Sequence, residues 1–398
     1  MSDLPNLRKF VTPEIIFGCG ARKLAGNYAK RFMANKVLIV TDPGVIAAGW
    51  LDDVQHSLEE VKLPYHVFSS VTPNPRTEEV MEGAEVYRSE ACDVIVSVGG
   101  GSPMDCAKGI GIVSSHNRDI LDFEGVDRIG LPVPPLILVP TTAGTSADVS
   151  QFCIISNRKE LVKIAIVSKA IVPDVALIDP QTTHTMDPYL TACTGVDALV
   201  HAIEAFVSIG SGPMTDDYAL DAIRLIHQNL PAVLQDQQNA GLREKIMLAS
   251  MKAGLAFSNA ILGAVHAMAH SLGGFLDLPH GECNALLIEH VIDYNFEHAK
   301  ERYMAIAQAI GLDLRGLRSR QIRQALINDL VTLKNQVGIT GQLRHRGVKS
   351  ADIPLLSGKA VRDACMLTNP RTASAADVVV IYPEAMCPVP RLAGECSL

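Results

Sequence analysis

The residues of this chain best suited to chemistry are one aspartate and three histidines, Asp197, His201, His266 and His280. Asp197 and His201 are four apart, and residues at this spacing lie on one face of an α-helix, so both can reach one ion. His266 lies in a second helical stretch and His280 in a loop flanked by proline. Three imidazoles and one carboxylate suit Fe(II), Zn(II), Co(II) or Ni(II) and disfavour Mg²⁺ or Ca²⁺. The four residues therefore predict a catalytic site for one divalent metal ion.

Small neighbours distinguish these residues from the other histidines. Glycine and alanine surround them in G-V-D-A-L-V-H-A and G-A-V-H-A-M-A-H-S-L-G-G, which leaves room for an ion and a substrate. His227 and His290 are better explained as core histidines, because a lone buried histidine is usually satisfied by hydrogen bonds. His270 lies one turn beyond His266 and is a spare ligand, an orienting partner or a proton relay. We favour a catalytic role for His270 without metal ligation.

A glycine-rich loop, G-G-G-S-P-M-D at 99–105, lies far upstream of the metal residues. It directly follows an apolar strand and leads into a helical stretch, so the amides of Gly101 and Ser102 would face an anion at a helix N-terminus. The alternative is a tight strand-to-helix turn without a ligand. We favour a pyrophosphate site, and a nucleotide beside one metal ion suggests redox chemistry on an alcohol or carbonyl.

The first strand, at 36–41, does not carry the G-x-G-x-x-G motif of ordinary Rossmann dehydrogenases. Asp42 closes this strand where an acidic residue can accept hydrogen bonds from an adenosine ribose. It can equally be a simple turn residue before Pro43. A second loop after a strand, P-T-T-A-G-T-S at 140–146, supplies further hydroxyls and amides.

Two different sequence patterns predict the elements that must position these residues. Short apolar runs at 36–41, 92–98, 135–140 and 175–179 alternate with helical stretches such as 76–91 and 105–115, a pattern typical of a parallel sheet covered by helices. Beyond about residue 183 the strand signal disappears, and Thr183 or Asp187 is expected to cap the first of a series of helices. The expected helices are 188–208, 215–230, 240–258, 261–274, 283–298, 301–310, 320–336 and 356–365. The predicted domains are an α/β nucleotide-binding domain at 1–182 and an all-helical metal-binding and catalytic domain at 183–398.

Composition narrows the class of protein. The 398 residues are 48% hydrophobic and 20% charged, as in globular enzymes, and the formal net charge of −8 argues against nucleic-acid binding. Nine cysteines without a C-x-x-C pair indicate reduced thiols. The N-terminus lacks the apolar segment of a secretory signal, and we find no 18-residue apolar stretch, so we expect a cytoplasmic protein that does not contact a membrane. The final A-M-C-P-V-P-R-L-A-G-E-C-S-L is expected to be a poorly ordered tail.

These motifs together resemble the iron-dependent (group III) alcohol dehydrogenases, a family that includes lactaldehyde:propanediol oxidoreductase and 1,3-propanediol dehydrogenase. The resemblance is carried by the glycine loop, P-T-T-A-G-T, the Asp197/His201 pair, H-A-M-A-H-S-L-G-G-F-L-D-L-P-H-G and N-A-L-L-I-E-H-V-I-D-Y-N. It runs from F-G-C-G-A near residue 17 to D-A-C-M-L-T-N-P-R at 363–371. It implies a two-domain, dehydroquinate-synthase-like fold with a cleft between the domains, and it implies the same four metal ligands.

The resemblance also implies the remaining site residues. His270 matches a family histidine near the nicotinamide. The positions that match NAD contacts are Asp42, Asn74, Gly100, Gly101, Ser102, Asp105, Thr141, Thr142 and Lys163. The positions that match the lining of the substrate pocket are Phe257, Leu262 and Cys365.

One segment departs from the family pattern. The family usually continues P-T-T-A-G-T with a small residue, any residue and Glu-Val-Thr, but this chain has Ser-Ala-Asp-Val-Ser at 146–150. Gln151 and Phe152 then decide the floor of the pocket. By the resemblance, Phe152 stands where the lactaldehyde enzyme has a small polar residue, which argues against a diol substrate and for a differently shaped or more apolar one.

We therefore predict an NAD(H)-linked, metal-dependent alcohol dehydrogenase or aldehyde reductase acting on a small primary alcohol or aldehyde. Fe(II) is the expected metal, with Zn(II) as the alternative, and a homodimer or larger homo-oligomer is the expected assembly. A lyase of the dehydroquinate-synthase type is the main alternative, but it would need a basic cluster for a phosphate, and 190–300 shows none. A non-catalytic nucleotide-binding protein is the other alternative, and four intact ligands argue against it.

Overall fold

The computed structural model describes residues 9–386 of the chain. Its first half contains a six-stranded, fully parallel sheet with the order β1-β9-β6-β4-β2-β3. The strands are β1 Glu14–Phe17, β2 Val37–Val40, β3 Tyr65–Phe68, β4 Val94–Gly99, β6 Leu136–Pro140 and β9 Val175–Ile178. The four strands expected from apolar runs are β2, β4, β6 and β9, and all residues of these four are buried.

Helices cover both faces of this sheet, which explains why its central strands are apolar on both sides. Along β2, Val37 and Ile39 belong to one core cluster, whereas Leu38 and Val40 belong to the cluster on the opposite face. The helices of this half are α1 Ala25–Arg31, α2 Pro43–Ala47, α3 Trp50–Glu60, α4 Thr77–Ser89 and α5 Gly101–His116.

A second, three-stranded sheet lies beside the first and was not expected from the sequence. Its order is β5-β8-β7, and β7 pairs antiparallel with β8. The strands are β5 Gly125–Val126, β7 Phe152–Asn157 and β8 Val162–Val167. This hairpin carries Phe152 and Lys163, so it contributes directly to the cleft described below.

The second half is helical throughout its described part, as expected. The helices are α6 Pro188–Val207, α7 Pro213–Gln235, α8 Ala240–Ala260, α9 Ala264–Leu276, α10 His280–Asn295, α11 Lys300–Ala309, α12 Ser319–Gln336, α13 Ile353–Ala360 and α14 Ala375–Ala385. The two-domain α/β plus all-α fold class is thereby confirmed. The boundary at 182/183 remains a prediction. The expected poorly ordered tail begins at Ala385, but Ala385 is the last residue of α14 and Met386 is its C-cap; the rest of the tail, 387–398, lies outside the described residues.

Of the two expected caps of α6, Asp187 is confirmed, because its carboxylate accepts the Leu190 amide, whereas Thr183 lies in a preceding 3₁₀ turn. One detail differs from expectation. His280 is not in a loop: Pro279 is the N-cap of α10 and His280 is its first residue. Proline is tolerated at a helix start, so it opens the helix here instead of flanking a loop.

The statement that the chain has no 18-residue apolar stretch does not hold for one buried helix. Helix α6 is long and apolar enough to cross a membrane by length and composition, with a mean hydropathy of 1.4 over its most apolar window. However, 94% of that window is buried inside the protein, and α6 also carries Asp197 and His201. A helix that is apolar on all sides can be the centre of a helical core, which is its position in this fold.

Candidate active site between the sheet and the helices

A cleft of about 830 Å³ separates the carboxyl edge of the parallel sheet from the helical half. Loops that follow β2, β4 and β6 form one wall, and residues of α6, α8, α9 and α10 form the other. Ligands of open α/β sheets bind at this carboxyl edge. The fold therefore brings the two groups of residues singled out in the sequence to one cavity.

The predicted cofactor residues all line this cleft. They are Asp42, Asn74, Gly100, Gly101, Ser102, Asp105, Thr141, Thr142 and Lys163. Helix α5 begins at Gly101, which places an N-terminal turn at the cavity as a phosphate site requires. A Cβ at Gly101 would lie 2.9 Å from Cγ2 of Thr145, so glycine allows the two loops to pack together.

Asp42 has one structural task already. Its Oδ1 accepts a hydrogen bond from the Val45 amide at 2.9 Å and so caps α2. Asp42 is therefore a turn residue that caps a helix. It also lines the cleft, so a hydrogen bond to an adenosine ribose is compatible with this role.

Asn74 connects the two walls. Its side-chain amide donates to Oδ1 of Asp277 at the end of α9 at 2.7 Å, and its carbonyl oxygen accepts from Nζ of Lys163 at 2.7 Å. Its backbone amide lies 3.2 Å from Oγ of Ser102 in the glycine loop. Asn74 thus ties the glycine loop, the hairpin and the helical half to one point.

The four expected metal residues converge. Asp197, His201, His266 and His280 each place a ligand atom within 4.8 Å of the others. Two residues share α6, as their spacing requires, while α9 and α10 supply the other two. His201 is further fixed between two rings, with Phe257 stacked at 4.3 Å and His266 at 4.4 Å.

The surroundings of these residues fit a cation. The Nδ2 atom of Asn284 lies 2.6 Å from Oδ1 of Asp197, 3.0 Å from Nε2 of His266 and 3.2 Å from Nε2 of His280. Three acceptor atoms thus point at one electropositive group, and the amide stands where a metal ion would satisfy them. Within the described residues 9–386, none forms a hydrogen bond with the buried Nδ1 of His201. Orphaned buried polar atoms are costly, which again indicates a missing partner.

Glu204 orients one of the ligands. Its Oε2 accepts from Nδ1 of His266 at 2.6 Å, and its Oε1 accepts from the Val265 amide at 2.7 Å. Nδ1 of His266 therefore carries the hydrogen, and Nε2 is left for the ion. A carboxylate behind a ligating histidine is the usual second partner of a metal site.

For three of the four residues, the shift in pKa favours the deprotonated form that can bind a metal ion. Burial lowers the pKa of His201 to about 3 and that of His280 well below its usual value. Burial raises the pKa of Asp197, but the neighbouring His201 and His280 outweigh it and lower the pKa below its ordinary value. For His266 the two carboxylates outweigh burial and raise the pKa to about 9. A metal ion would displace that proton, as ligation by histidine requires.

His270 lines the cleft but lies outside the ligand set. Its ring stacks on His280 with centroids 5.2 Å apart, and its Nδ1 lies 2.8 Å from Oδ2 of Asp363. Among the residues that the structure describes, none forms a hydrogen bond with its Nε2.

The expected substrate pocket is only partly assembled as predicted. Phe152, Phe257 and Leu262 line the cleft near the metal residues, and the two phenylalanine rings meet edge to face at 5.5 Å. Gln151 does not line it, because its backbone amide and its side chain both bond to Ser258 within the protein. Cys365 does not line it either, since its side chain is fully buried behind the cleft wall.

Sequence reasoning missed four residues that support the site. They are Lys108, Glu204, Asn284 and Asp363. Glu204 is seven residues after Asp197 and Asn284 is four after His280, so helical spacing placed both near the ligands. Lys108 is fully buried, and its Nζ donates to the carbonyls of Ser150 and Phe152 at 2.8 and 2.7 Å, which fixes the segment that departs from the family pattern.

Comparisons with known proteins match nearly the whole chain. Residues 12–180 match the family model "Iron-containing alcohol dehydrogenase", and residues 191–386 match "Fe-containing alcohol dehydrogenase family, C-terminal". The 1,3-propanediol dehydrogenase of Citrobacter freundii is 40% identical over 94% of this chain and 98% of its own. The lactaldehyde reductase of Escherichia coli K12 is 37% identical over 92% of this chain and 96% of its own.

Solved structures agree with these matches. A crystal structure of 1,3-propanediol oxidoreductase superposes with a TM-score of 0.92 at 39% identity, over 96% of this chain and 100% of that one. The sulfoacetaldehyde reductase of Bifidobacterium kashiwanohense, solved in complex with NAD⁺, superposes with a TM-score of 0.83 at 29% identity, over 96% and 99% of the two chains.

Proposed function

Because the chain belongs to the iron-containing alcohol dehydrogenase family, we propose that its cleft transfers hydride reversibly between NAD(H) and a small primary alcohol or aldehyde with the help of one divalent metal ion. The protein is an oxidoreductase of the alcohol dehydrogenase and aldehyde reductase class. One observation carries the assignment to this cleft: three imidazoles and one carboxylate converge in the same cavity as the glycine loop.

The residues present define what a bound ion and cofactor would do. Asp197, His201, His266 and His280 would hold the ion, and the loops after β2, β4 and β6 would hold NAD(H). When bound, the ion supplies Lewis acidity toward an alcohol or carbonyl oxygen, and the nicotinamide supplies the hydride acceptor or donor. Fe(II) is our proposed metal, and Zn(II) is the alternative, since imidazole and carboxylate ligands accept both.

The chain's own side chains supply orientation and proton handling. Glu204 fixes the ring of His266, and the stacked rings of Phe257 and His266 fix His201. His270 offers Nε2 as a proton acceptor beside the ligands. A proton acceptor is needed there because oxidation of an alcohol releases one proton in addition to the hydride.

The walls of the cleft support a substrate with an apolar chain. Phe152 and Phe257 meet edge to face, Phe257 stacks on His201, and Leu262 lines the same cleft. These side chains offer no hydrogen-bond partner for a second hydroxyl group, whereas a short alkyl chain would be desolvated against them. We therefore propose short unbranched alkanals, and the corresponding alcohols, as better substrates than hydroxy-aldehydes.

The lyase alternative receives no support from the cleft. Such an enzyme would need several basic side chains for a phosphate-bearing substrate. Lys163 is the single Lys or Arg among the described residues that line the cavity, and its Nζ is engaged by Asn74. We also propose a cytoplasmic location and a homodimer or larger homo-oligomer.

The test is NADH oxidation by chelator-stripped protein reloaded separately with Fe(II) and with Zn(II). We expect activity to return with metal, and butanal to be reduced faster than 3-hydroxypropanal. His201→Ala should abolish metal loading and turnover, whereas His227→Ala, a histidine bonded to Asp329 at 2.7 Å outside the cleft, should retain both. Tight NADH binding with no turnover in either metal form would reject the dehydrogenase proposal. Faster reduction of the hydroxy-aldehyde would reject only the substrate proposal.

A further inference from the structure

His270 lies beside the ligands but is held by a different group. It is four residues after His266 on α9, and its ring stacks on His280 at an interplanar angle of 16°. Its Nδ1 lies 2.8 Å from Oδ2 of Asp363, which is 93 residues away in the chain. The orientation of His270 is therefore set from the C-terminal part of the helical half.

Asp363 uses both carboxylate oxygens. Oδ1 accepts the Cys365 amide at 2.8 Å and caps the 3₁₀ turn Ala364–Thr368. Oδ2 faces His270, and the side chain is 8% exposed. An ionised carboxylate can only accept hydrogen bonds, so Nδ1 of His270 must carry the hydrogen. In the neutral ring, Nε2 then presents its lone pair to the cleft.

We propose that Asp363 is a positioning residue that holds His270 in the Nδ1–H tautomer, so that Nε2 can take the proton released when the alcohol is oxidised. This inference rests on the proposed function. A bound NAD⁺ would supply the hydride acceptor for the alcohol carbon. The hydroxyl proton would pass to Nε2 of His270, and the imidazolium would release it before the next turnover. Reduction of an aldehyde runs the same transfers in reverse.

A second metal site is the other way to explain these groups. His270, Asp363 and Cys365 offer donor atoms within 4.8 Å of one another. However, both oxygens of Asp363 and Nδ1 of His270 are already engaged with each other or with the turn. Burial also raises the pKa of the Cys365 thiol well above its usual value, whereas a thiol must be deprotonated to ligate. The geometry favours the aspartate–histidine pair.

Asp363→Asn separates the two explanations. An asparagine that keeps the cap to Cys365 through its one oxygen turns its NH₂ group toward His270. That group donates to Nδ1, which forces the hydrogen to Nε2 and removes the proton acceptor from the cleft. We expect kcat to fall by about 100-fold or more, the scale of general acid–base catalysis. KM for the aldehyde, NADH affinity and one metal ion per chain should be retained.

Asp119→Asn is the matched control. Asp119 also caps a 3₁₀ turn, Ile120–Phe123, by accepting the amide two residues on, at 2.9 Å, but it has no histidine partner and lies at the surface. This variant should keep the kcat of the unmodified enzyme.

A double-mutant cycle tests whether Asp363 acts through His270. In a His270→Gln background, Asp363→Asn should cost little further activity, because the group that it positions is gone. Full additivity of the two losses would reject the proposal and indicate a merely structural role. Two metal ions per chain in the unmodified protein, with one lost in Asp363→Asn, would favour the second metal site instead.

Nitrogen NMR of the Zn(II)-loaded, unmodified protein measures the tautomer of His270 directly. This measurement does not depend on enzyme activity or on whether a variant of Asp363 folds. The His270 ring, assigned by its absence in His270→Gln, should show a protonated Nδ1 and an unprotonated Nε2. The opposite tautomer would overturn the proposal. If no aldehyde is reduced but this tautomer is present, the proposed function fails while the pairing of Asp363 and His270 stands.

Discussion

At the scale of single residues, Glu204 controls the metal site without belonging to it. It accepts the Nδ1–H of His266 and the amide of Val265 from a position that is 3% exposed. Its charge would make His266 a stronger ligand, and its two bonds hold the ring in place. The affinity of the proposed metal site would then depend on a residue that is not one of the proposed ligands.

Glu204→Gln is expected to weaken metal binding by about 10- to 100-fold, because the amide keeps a hydrogen bond but loses the charge. Competition with a chromophoric chelator measures the affinity directly. Glu244→Gln, on the exposed face of α8, is the control with the same chemical change and should bind metal normally. Unchanged affinity in Glu204→Gln would mean that the carboxylate serves only the fold.

The convergence of the four proposed ligands could be predicted from the sequence, but their supporting partners could not. Asp197 and His201 follow helical spacing, and a cluster of histidines with small neighbours is a rare pattern. Asp363 is different, because its bond to His270 joins positions 93 residues apart that no local pattern connects. Gln151 shows the opposite error: its place in the sequence suggested the pocket, but the hydrogen bonds to Ser258 turn it away.

At the scale of elements, the end of α9 is held to the nucleotide side of the cleft. Asp277 closes α9 in the left-handed region with φ 54°, and Asn74 lies in the loop before α4 with φ 58°. Asparagine and aspartate tolerate this backbone conformation better than other residues with a Cβ. Their hydrogen bond of 2.7 Å therefore joins two turns that are themselves suited to these residue types.

Asp277→Gly is expected to raise KM for NADH by about 2- to 10-fold with little change in kcat, which corresponds to the usual net value of one hydrogen bond. The bond holds Asn74 against Ser102 and Lys163, so its loss loosens the cofactor wall. Glycine is chosen because it adopts the positive φ without strain. Steady-state kinetics at saturating aldehyde measure both constants.

Asp277→Asn is the matched control for that change, since it keeps an acceptor oxygen and also tolerates positive φ. It should retain the KM of the unmodified enzyme. A rise in KM as large as that of the glycine variant would show that the charge of Asp277, not the hydrogen bond, matters.

At the scale of the whole molecule, neither half contains a complete site. The glycine loop follows a strand of the sheet and the four proposed ligands lie on the helices, so the proposed reaction requires both halves in their observed arrangement. The order of strands and helices could be predicted from the alternation of apolar and amphipathic runs. The β7–β8 hairpin and the two edge strands of the large sheet, β1 and β3, were not predicted, because such short segments carry little periodic signal and depend on pairing with distant parts of the chain.

The only tryptophan of the chain stands where the halves meet. Trp50 begins α3 and lines the cleft, and its indole N–H donates to the hydroxyl of Thr185, just before the first long helix of the other half, at 2.8 Å. The protein thus carries a built-in fluorophore at one defined point of the cofactor entrance. Since reduced nicotinamide absorbs the light that tryptophan emits, NADH should quench this emission by energy transfer, and NAD⁺ should quench it far less.

A fluorescence titration checks this expectation, with Trp50→Phe as the silent control and calorimetry as an independent measure of binding. If calorimetry detects NADH binding but fluorescence does not, the nicotinamide lies too far from Trp50 for energy transfer. With quenching present, the binding and release of NADH during turnover could be followed by stopped-flow fluorescence in the unlabelled enzyme.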